Sequence, residues 1–99
     1  MELTVKELKE RLDKGEDVHL LDVREPWEHE EFNIGGRLIP VNDLLLSFDK
    51  LEDLKDKEIV VYCRSGSRSA MAVALLKAQG FKGAINLAGG MIAWKEAFG

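Results

Sequence analysis

Cys63 is the only cysteine of the chain, and two arginines, three serines and a glycine follow it within six positions: Cys63-Arg64-Ser65-Gly66-Ser67-Arg68-Ser69. A sulfur nucleophile acts as the thiolate, and a thiolate is favoured by nearby cations and by the unpaired N–H groups of a helix start. The residues before Cys63, Ile59-Val60-Val61-Tyr62, read as a buried strand, and those after the loop as the first turn of a helix. The thiol therefore lies where a strand ends and faces backbone donors that also favour a small anion. Gly66 gives the loop the freedom to curl so that these donors converge. A lone cysteine after an apolar strand is ordinarily a small core hydrophobe. Two guanidiniums and three hydroxyls directly after it are not what a core position requires. The pattern describes a site that holds a small anion against a reactive sulfur.

The elements that must position this loop alternate between two periodicities. Thr4 and Glu7 form a capping box that opens a helix from Val5 to Asp13, with Val5, Leu8 and Leu12 on one face and Gly15 beyond its end. Val18 to Val23 is an apolar run, read as a strand. Pro26 suits the first turn of a short helix reaching Glu31. Gly35-Gly36 forms a turn, Leu38-Ile39 a short strand ended by Pro40. Asn42 is expected to cap a helix to Leu51 that carries Leu44, Leu45, Phe48 and Leu51. Glu58 to Tyr62 is apolar enough to be a central parallel strand. The helix after the cysteine loop runs to Gln79, with Gly80 at its left-handed end. Ala84 to Leu87 is another strand, and a last helix carries Ile92, Trp94 and Phe98. This alternation gives an α/β fold with a mostly parallel central sheet flanked by helices. Ligands of such sheets bind at the carboxyl ends of the strands, where Cys63 falls.

Composition narrows the class. The 99 residues, 45% hydrophobic and 32% charged, are expected to form one domain over residues 1–99. The net charge of −4 carries no basic stripe for nucleic acid. No run is long enough to span a membrane, and Met1-Glu2-Leu3-Thr4 lacks the features of a secretory signal, so a cytoplasmic location is expected; a monomer is the default expectation for a compact acidic domain. One cysteine and two scattered histidines, His19 and His29, offer no metal-ligand spacing, and no cofactor is implied.

Three blocks around the cysteine loop carry a family resemblance. Leu20-Leu21-Asp22-Val23-Arg24-Glu25, Ile34-Gly35-Gly36-Arg37-Leu38-Ile39-Pro40, and Asn86-Leu87-Ala88-Gly89-Gly90-Met91-Ile92-Ala93-Trp94 together resemble a single-domain rhodanese, a sulfurtransferase. Where family members commonly have His-Ile, this chain has Asn33-Ile34. The run from Asn33 to Pro40 and the Arg-Ser-Gly-Ser-Arg-Ser loop are similar to rhodanese domains attached to E1-like adenylyltransferases, which pass sulfur to a ubiquitin-like carrier. The resemblance implies a three-layer rhodanese-like domain. It implies that Cys63 carries a persulfide and that Arg64, Ser65, Gly66, Ser67 and Arg68 cradle the transferred sulfur and its anionic donor.

The implied chemistry is two displacements through a covalent intermediate. A small anionic donor, thiosulfate or a persulfide, leaves its sulfane sulfur on Cys63. An external thiol, cyanide or a sulfur-carrier protein then removes it. The remaining polar residues have plainer readings. Asp22 is expected to hold loop N–H groups, Arg24 to pair with a carboxylate, His19 and His29 to be partly exposed, and Trp27 and Trp94 to pack in or at the edge of the core. Arg37 is left open between structure and anion field. Two rivals stand beside sulfur transfer. One is a non-catalytic interaction module on the same fold. The other is a related phosphatase or arsenate reductase, which would need five residues between cysteine and arginine. Here Arg68 follows Cys63 after four, leaving a smaller pocket.

Overall fold

The structure, a computed structural model, describes residues 2–99. Five strands form one sheet in the order β1-β5-β4-β2-β3: β1 Glu2–Leu3, β2 His19–Asp22, β3 Arg37–Leu38, β4 Ile59–Tyr62 and β5 Ala84–Leu87. Every pairing is parallel. The carboxyl ends of β2, β4 and β5 therefore share one edge, and the loops after them meet there. Four helices cover the faces: α1 Val5–Asp13, α2 Pro26–Glu31, α3 Ser67–Ala78 and α4 Gly90–Phe98.

The period-2 alternation of β4 divides the core. Ile59, Val61 and Cys63 point to one face, into a cluster with Leu21, Val23, Leu44, Leu51, Ala72, Leu76 and Phe81. Val60 and Tyr62 point to the other, with Leu3, Leu8, Leu20, Leu87, Met91 and Trp94. α3 thus lies on the cysteine face, and α1 and α4 lie on the opposite face, which gives three layers. All four residues of β4 are buried, as the uninterrupted apolar run requires of a strand covered on both sides. The capping box at Thr4 forms as expected: Glu7 N donates to Thr4 Oγ1 at 3.1 Å, and Thr4 N to Glu7 Oε1 at 2.9 Å.

Two expectations are corrected, and one strand is added. The helix from Asn42 to Leu51 is instead two 3-10 helical segments, Val41–Leu46 and Phe48–Leu54. They break at Ser47, which is buried and donates its hydroxyl to Asp43 O at 2.8 Å. The tighter three-residue turn brings Leu51 and Leu54 onto one buried face and leaves Leu45 and Leu46 in solvent. The two-residue strand β1 has no counterpart in the pattern of the sequence. It exists because Glu2 and Leu3 register against Asn86 and Leu87 of β5. Trp27, expected at the core, is 65% exposed, whereas Trp94 is 9% exposed.

This contrast gives a test by urea unfolding. Trp94→Ala should cost about 3–5 kcal/mol, the range for a buried aromatic. Trp27→Ala should stay within about 0.5 kcal/mol of wild type. A large loss at Trp27 would mean that its ring is packed.

Candidate active site

The site begins where β4 ends. Cys63 follows Tyr62 with no exposed surface, its sulfur turned to the α3 face. Gly66 then adopts φ +104°, a left-handed conformation that side chains disfavour, and caps α3. This reversal points the first N–H groups of α3 back at the sulfur. Gly66 N lies 3.1 Å from Cys63 Sγ, Ser69 N 3.4 Å and Ser69 Oγ 3.3 Å. Burial alone would raise the thiol pKa. The Ser69 hydroxyl and the N–H groups of Ser69, Gly66 and Ser65 outweigh it and hold the pKa below the ordinary thiol value.

The loop is clamped from the opposite face. The first free N–H groups of α4 donate to its carbonyls, Met91 N to Cys63 O and Ile92 N to Arg64 O, each at 3.0 Å. That approach explains Gly90: a Cβ there would sit 2.4 Å from Cys63 O. The Gly-Gly pair of the closing motif thus holds the cysteine loop in place. On the sheet, Asn86 of β5 reaches Gly66 O through Nδ2 at 3.2 Å, and its Oδ1 lies 2.5 Å from Ser69 Oγ.

The five expected cradle residues divide into different tasks. Ser65 and Ser67 are exposed at the loop surface, with their hydroxyls 3.3 Å apart. Arg68 is held by Glu28 of α2 in a two-pronged ion pair at 2.7 and 2.9 Å. Arg64 is exposed, and among the described residues its side chain has no hydrogen-bond or ion-pair partner. Beside it lies a cleft of about 210 Å³ between α2 and α4, lined by Arg24, Trp27, Glu28, Arg64, Ile92 and Lys95 among others. Cys63 is not among its lining residues, so the cleft adjoins the sulfur pocket.

The other polar residues build the frame. Asp22, fully buried at the end of β2, accepts from Arg24 N at 3.0 Å, from the Arg24 guanidinium at 2.9 and 2.8 Å, and lies 2.8 Å from His29 Nδ1. Burial opposes its charge, but these contacts more than offset that and keep its pKa lowered. The expected carboxylate partner of Arg24 is thus Asp22, and among the described residues the one loop N–H that Asp22 accepts is Arg24's own. Arg24 also donates to Phe32 O at 2.7 Å. Arg37, left open from sequence, donates to Lys50 O and to both carboxylate oxygens of Asp53. Among the described residues no group of histidine, cysteine and carboxylates is arranged to hold a metal.

Ser69, Asn86 and Glu28 were not singled out from sequence. Ser69 carried a signal, since a side chain in the first helical turn leans back towards the helix start, where the cysteine lies. Asn86 carried another, as the one polar residue in an otherwise apolar strand, because a buried amide needs partners. Glu28 looked like any acid in an acidic helix.

The Glu28–Arg68 pair predicts a pH dependence. Hydrogen bonding from Arg68 is the main cause holding Glu28 down to about 2, from an ordinary 4.5. A depressed carboxylate stabilises the fold above its unfolded pKa and loses that contribution as pH falls through the folded value. Wild-type stability should therefore decline between pH 4.5 and about 2 by about 2 kcal/mol more than Glu28→Gln, allowing for the solvent contact of Arg68. Parallel pH profiles of the two proteins in urea unfolding would show that the pair is not formed in solution.

Comparison with known proteins agrees with this geometry. The model of the rhodanese-like domain matches residues 4–97. The probable adenylyltransferase/sulfurtransferase MoeZ of Mycobacterium tuberculosis is 40% identical over 95% of this chain, which spans only 24% of that longer protein. A sulfurtransferase of Allochromatium vinosum is 42% identical over 94% of this chain and 86% of its own length. Among solved structures, a rhodanese-like domain protein from Staphylococcus aureus superposes with a TM-score of 0.82 at 34% identity, covering 95% of this chain and 91% of that one. No helix of the described residues is long and apolar enough to cross a membrane. A parallel sheet that delivers one cysteine into a loop of backbone donors, together with these matches along nearly the whole chain, places the protein in the rhodanese-like domain family.

Proposed function

We propose that the protein is a sulfurtransferase that carries sulfane sulfur as a persulfide on Cys63. The observation that supports this most is the Cys63 sulfur itself, buried and surrounded by the N–H groups of Gly66 and Ser69 and the Ser69 hydroxyl. A thiolate held this way needs no general base. In the first displacement the thiolate attacks the outer sulfur of thiosulfate. The new bond joins Sγ to that sulfur, the old sulfur–sulfur bond breaks, and sulfite leaves with the electron pair. The persulfide bears its charge on the outer sulfur, and in this reading loop N–H groups stabilise that charge. In the second displacement cyanide or another nucleophile attacks the outer sulfur, and the electron pair returns to Sγ as thiolate.

The division of labour between the arginines refines the reading. Arg68 spends its side chain on Glu28 and serves the loop through its backbone and position. Arg64, unpaired beside the cleft, is the cation for an anionic donor. Burial of the sulfur restricts which acceptors reach the intermediate. The acceptor is external, because the chain has no second cysteine to resolve the persulfide. The kinship with a domain of an adenylyltransferase/sulfurtransferase supports a sulfur-carrier protein as the biological acceptor. A free, activated thiol persists in a reducing compartment, which favours the cytoplasm.

Steady-state transfer from thiosulfate to cyanide tests the proposal. Cys63→Ser should abolish turnover while leaving the unfolding transition unchanged, and wild type should show ping-pong kinetics. Arg64→Ala should raise KM for thiosulfate about tenfold, the worth of one charge-assisted contact, and affect an uncharged persulfide donor less. Turnover surviving in Cys63→Ser would overturn the proposal. Equal losses with both donors would remove Arg64 from donor binding.

A further inference from the structure

Ser69 carries one hydroxyl proton and has two acceptors for it. Its Oγ lies 3.3 Å from Cys63 Sγ and 2.5 Å from Asn86 Oδ1. A hydroxyl donates once. The orientation of the Asn86 amide is not free to change, because its Nδ2 donates to Glu2 Oε2 at 2.9 Å and to Gly66 O at 3.2 Å. Its oxygen must therefore face Ser69. Ser69 is fully buried and Asn86 nearly so, which excludes bulk water as an alternative partner. The three groups stand on one face of the sheet, since Asn86 registers beside Val61 of β4, two residues before Cys63.

We propose that Ser69 is a pivoting donor, and Asn86 its alternative acceptor in the persulfide state, that switch the hydroxyl's hydrogen bond on and off the Cys63 sulfur during each cycle. The proposal rests on the sulfur-transfer reading above and assigns two positioning residues to it. While Cys63 is a thiolate, the charge sits on Sγ and draws the Ser69 proton. Once Sγ has bonded to the transferred sulfur, the charge moves to the outer atom and Sγ becomes a poor acceptor. The hydroxyl then turns to Asn86 Oδ1, whose carbonyl dipole is otherwise buried without a donor. In the discharge step the acceptor nucleophile bonds to the outer sulfur and the Sγ–S bond breaks with its electron pair going to Sγ. The hydroxyl swings back at that moment and stabilises the leaving thiolate. No proton is gained or lost by Ser69 in either step. Hydrogen bonding by Ser69 is also the largest influence lowering the Cys63 pKa.

The two residues should therefore act on the thiol in opposite directions. Removing the hydroxyl takes a donor from the thiolate, and removing the Asn86 oxygen takes away the competitor for that donor. The ionisable groups on the neighbouring elements are Arg64 and Arg68 of the loop, Glu28 and His29 of α2, Asp22 and Arg24 at the end of β2, and Glu2 beyond Asn86. All of them are retained in the variants.

The test is the pH dependence of iodoacetamide alkylation of Cys63, which requires no sulfur transfer, together with single-turnover discharge of the persulfide to cyanide. Ser69→Ala should move the alkylation inflection up by about one pH unit and slow discharge about tenfold. Asn86→Leu should move the inflection down. In the Ser69→Ala background, Asn86→Leu should have no effect, because the competition has already been removed. Asn86→Ala serves in the same design if leucine does not fold. An Asn86 effect of equal size in both backgrounds, or an upward shift from Asn86→Leu alone, would overturn the proposal, since it would mean that Asn86 acts only by holding Gly66. If the alkylation pattern appears but wild type transfers no sulfur, the pivot stands as a device that sets the thiol pKa, and the sulfur-transfer reading fails.

Discussion

The junction between the end of β4 and the start of α3 is the constraint on which the rest of the structure depends. Four residues, Cys63 to Gly66, must turn a buried strand into a helix while aiming successive backbone N–H groups at one sulfur. Such convergence is costly for a free loop, because it brings dipoles of one sign together and fixes several dihedral angles. The surrounding elements supply what the loop cannot. Asn86 holds Gly66 O from β5, the start of α4 holds Cys63 O and Arg64 O, and Glu28 holds the Arg68 side chain from α2. With its carbonyls held from outside, the loop keeps its N–H groups turned inward. The helices are thus arranged around the loop as much as around the core.

One buried and one partly exposed ion pair extend the same logic outwards. Asp22 with Arg24, joined by a hydrogen bond to His29, closes the end of β2, and Glu28 with Arg68 joins α2 to α3. Pairs of this kind add little net stability over apolar packing, but breaking one leaves an uncompensated charge. Their effect here is positional. Arg68 is kept off the sulfur, and Arg64 remains the loop cation beside the cleft. Within a single short loop, one arginine is thus paired with a carboxylate and the other has no side-chain partner among the described residues.

Most of this frame is legible in the residues. The apolar run of β4, the capping box at Thr4 and the polar loop after Cys63 each state their own local structure, and together they place the cysteine at a strand end in a parallel sheet. What escapes sequence reading depends on partners distant in the chain. β1 is defined only by its register on β5. The stretch after Pro40 has helical composition, yet buried Ser47 and the need to bury Leu44, Leu51 and Leu54 together turn it into two 3-10 segments. Trp27 looks like core by type, but the short α2 turns it to the cleft. Within the site, the serine that touches the sulfur is the last of the three after Cys63, Ser69 in the first turn of α3, because helical side chains lean towards the amino end.

The central claim is that Cys63 stores a sulfur atom between two separate displacements, and intact mass measurement tests it most directly. Protein treated with thiosulfate and then desalted should carry one additional sulfur atom. It should return to its starting mass on addition of cyanide or dithiothreitol, and should take up nothing if Cys63 has first been alkylated. Sulfur uptake that is unchanged by alkylation of Cys63, or no uptake by a protein whose Cys63 is fully reactive, would contradict the account.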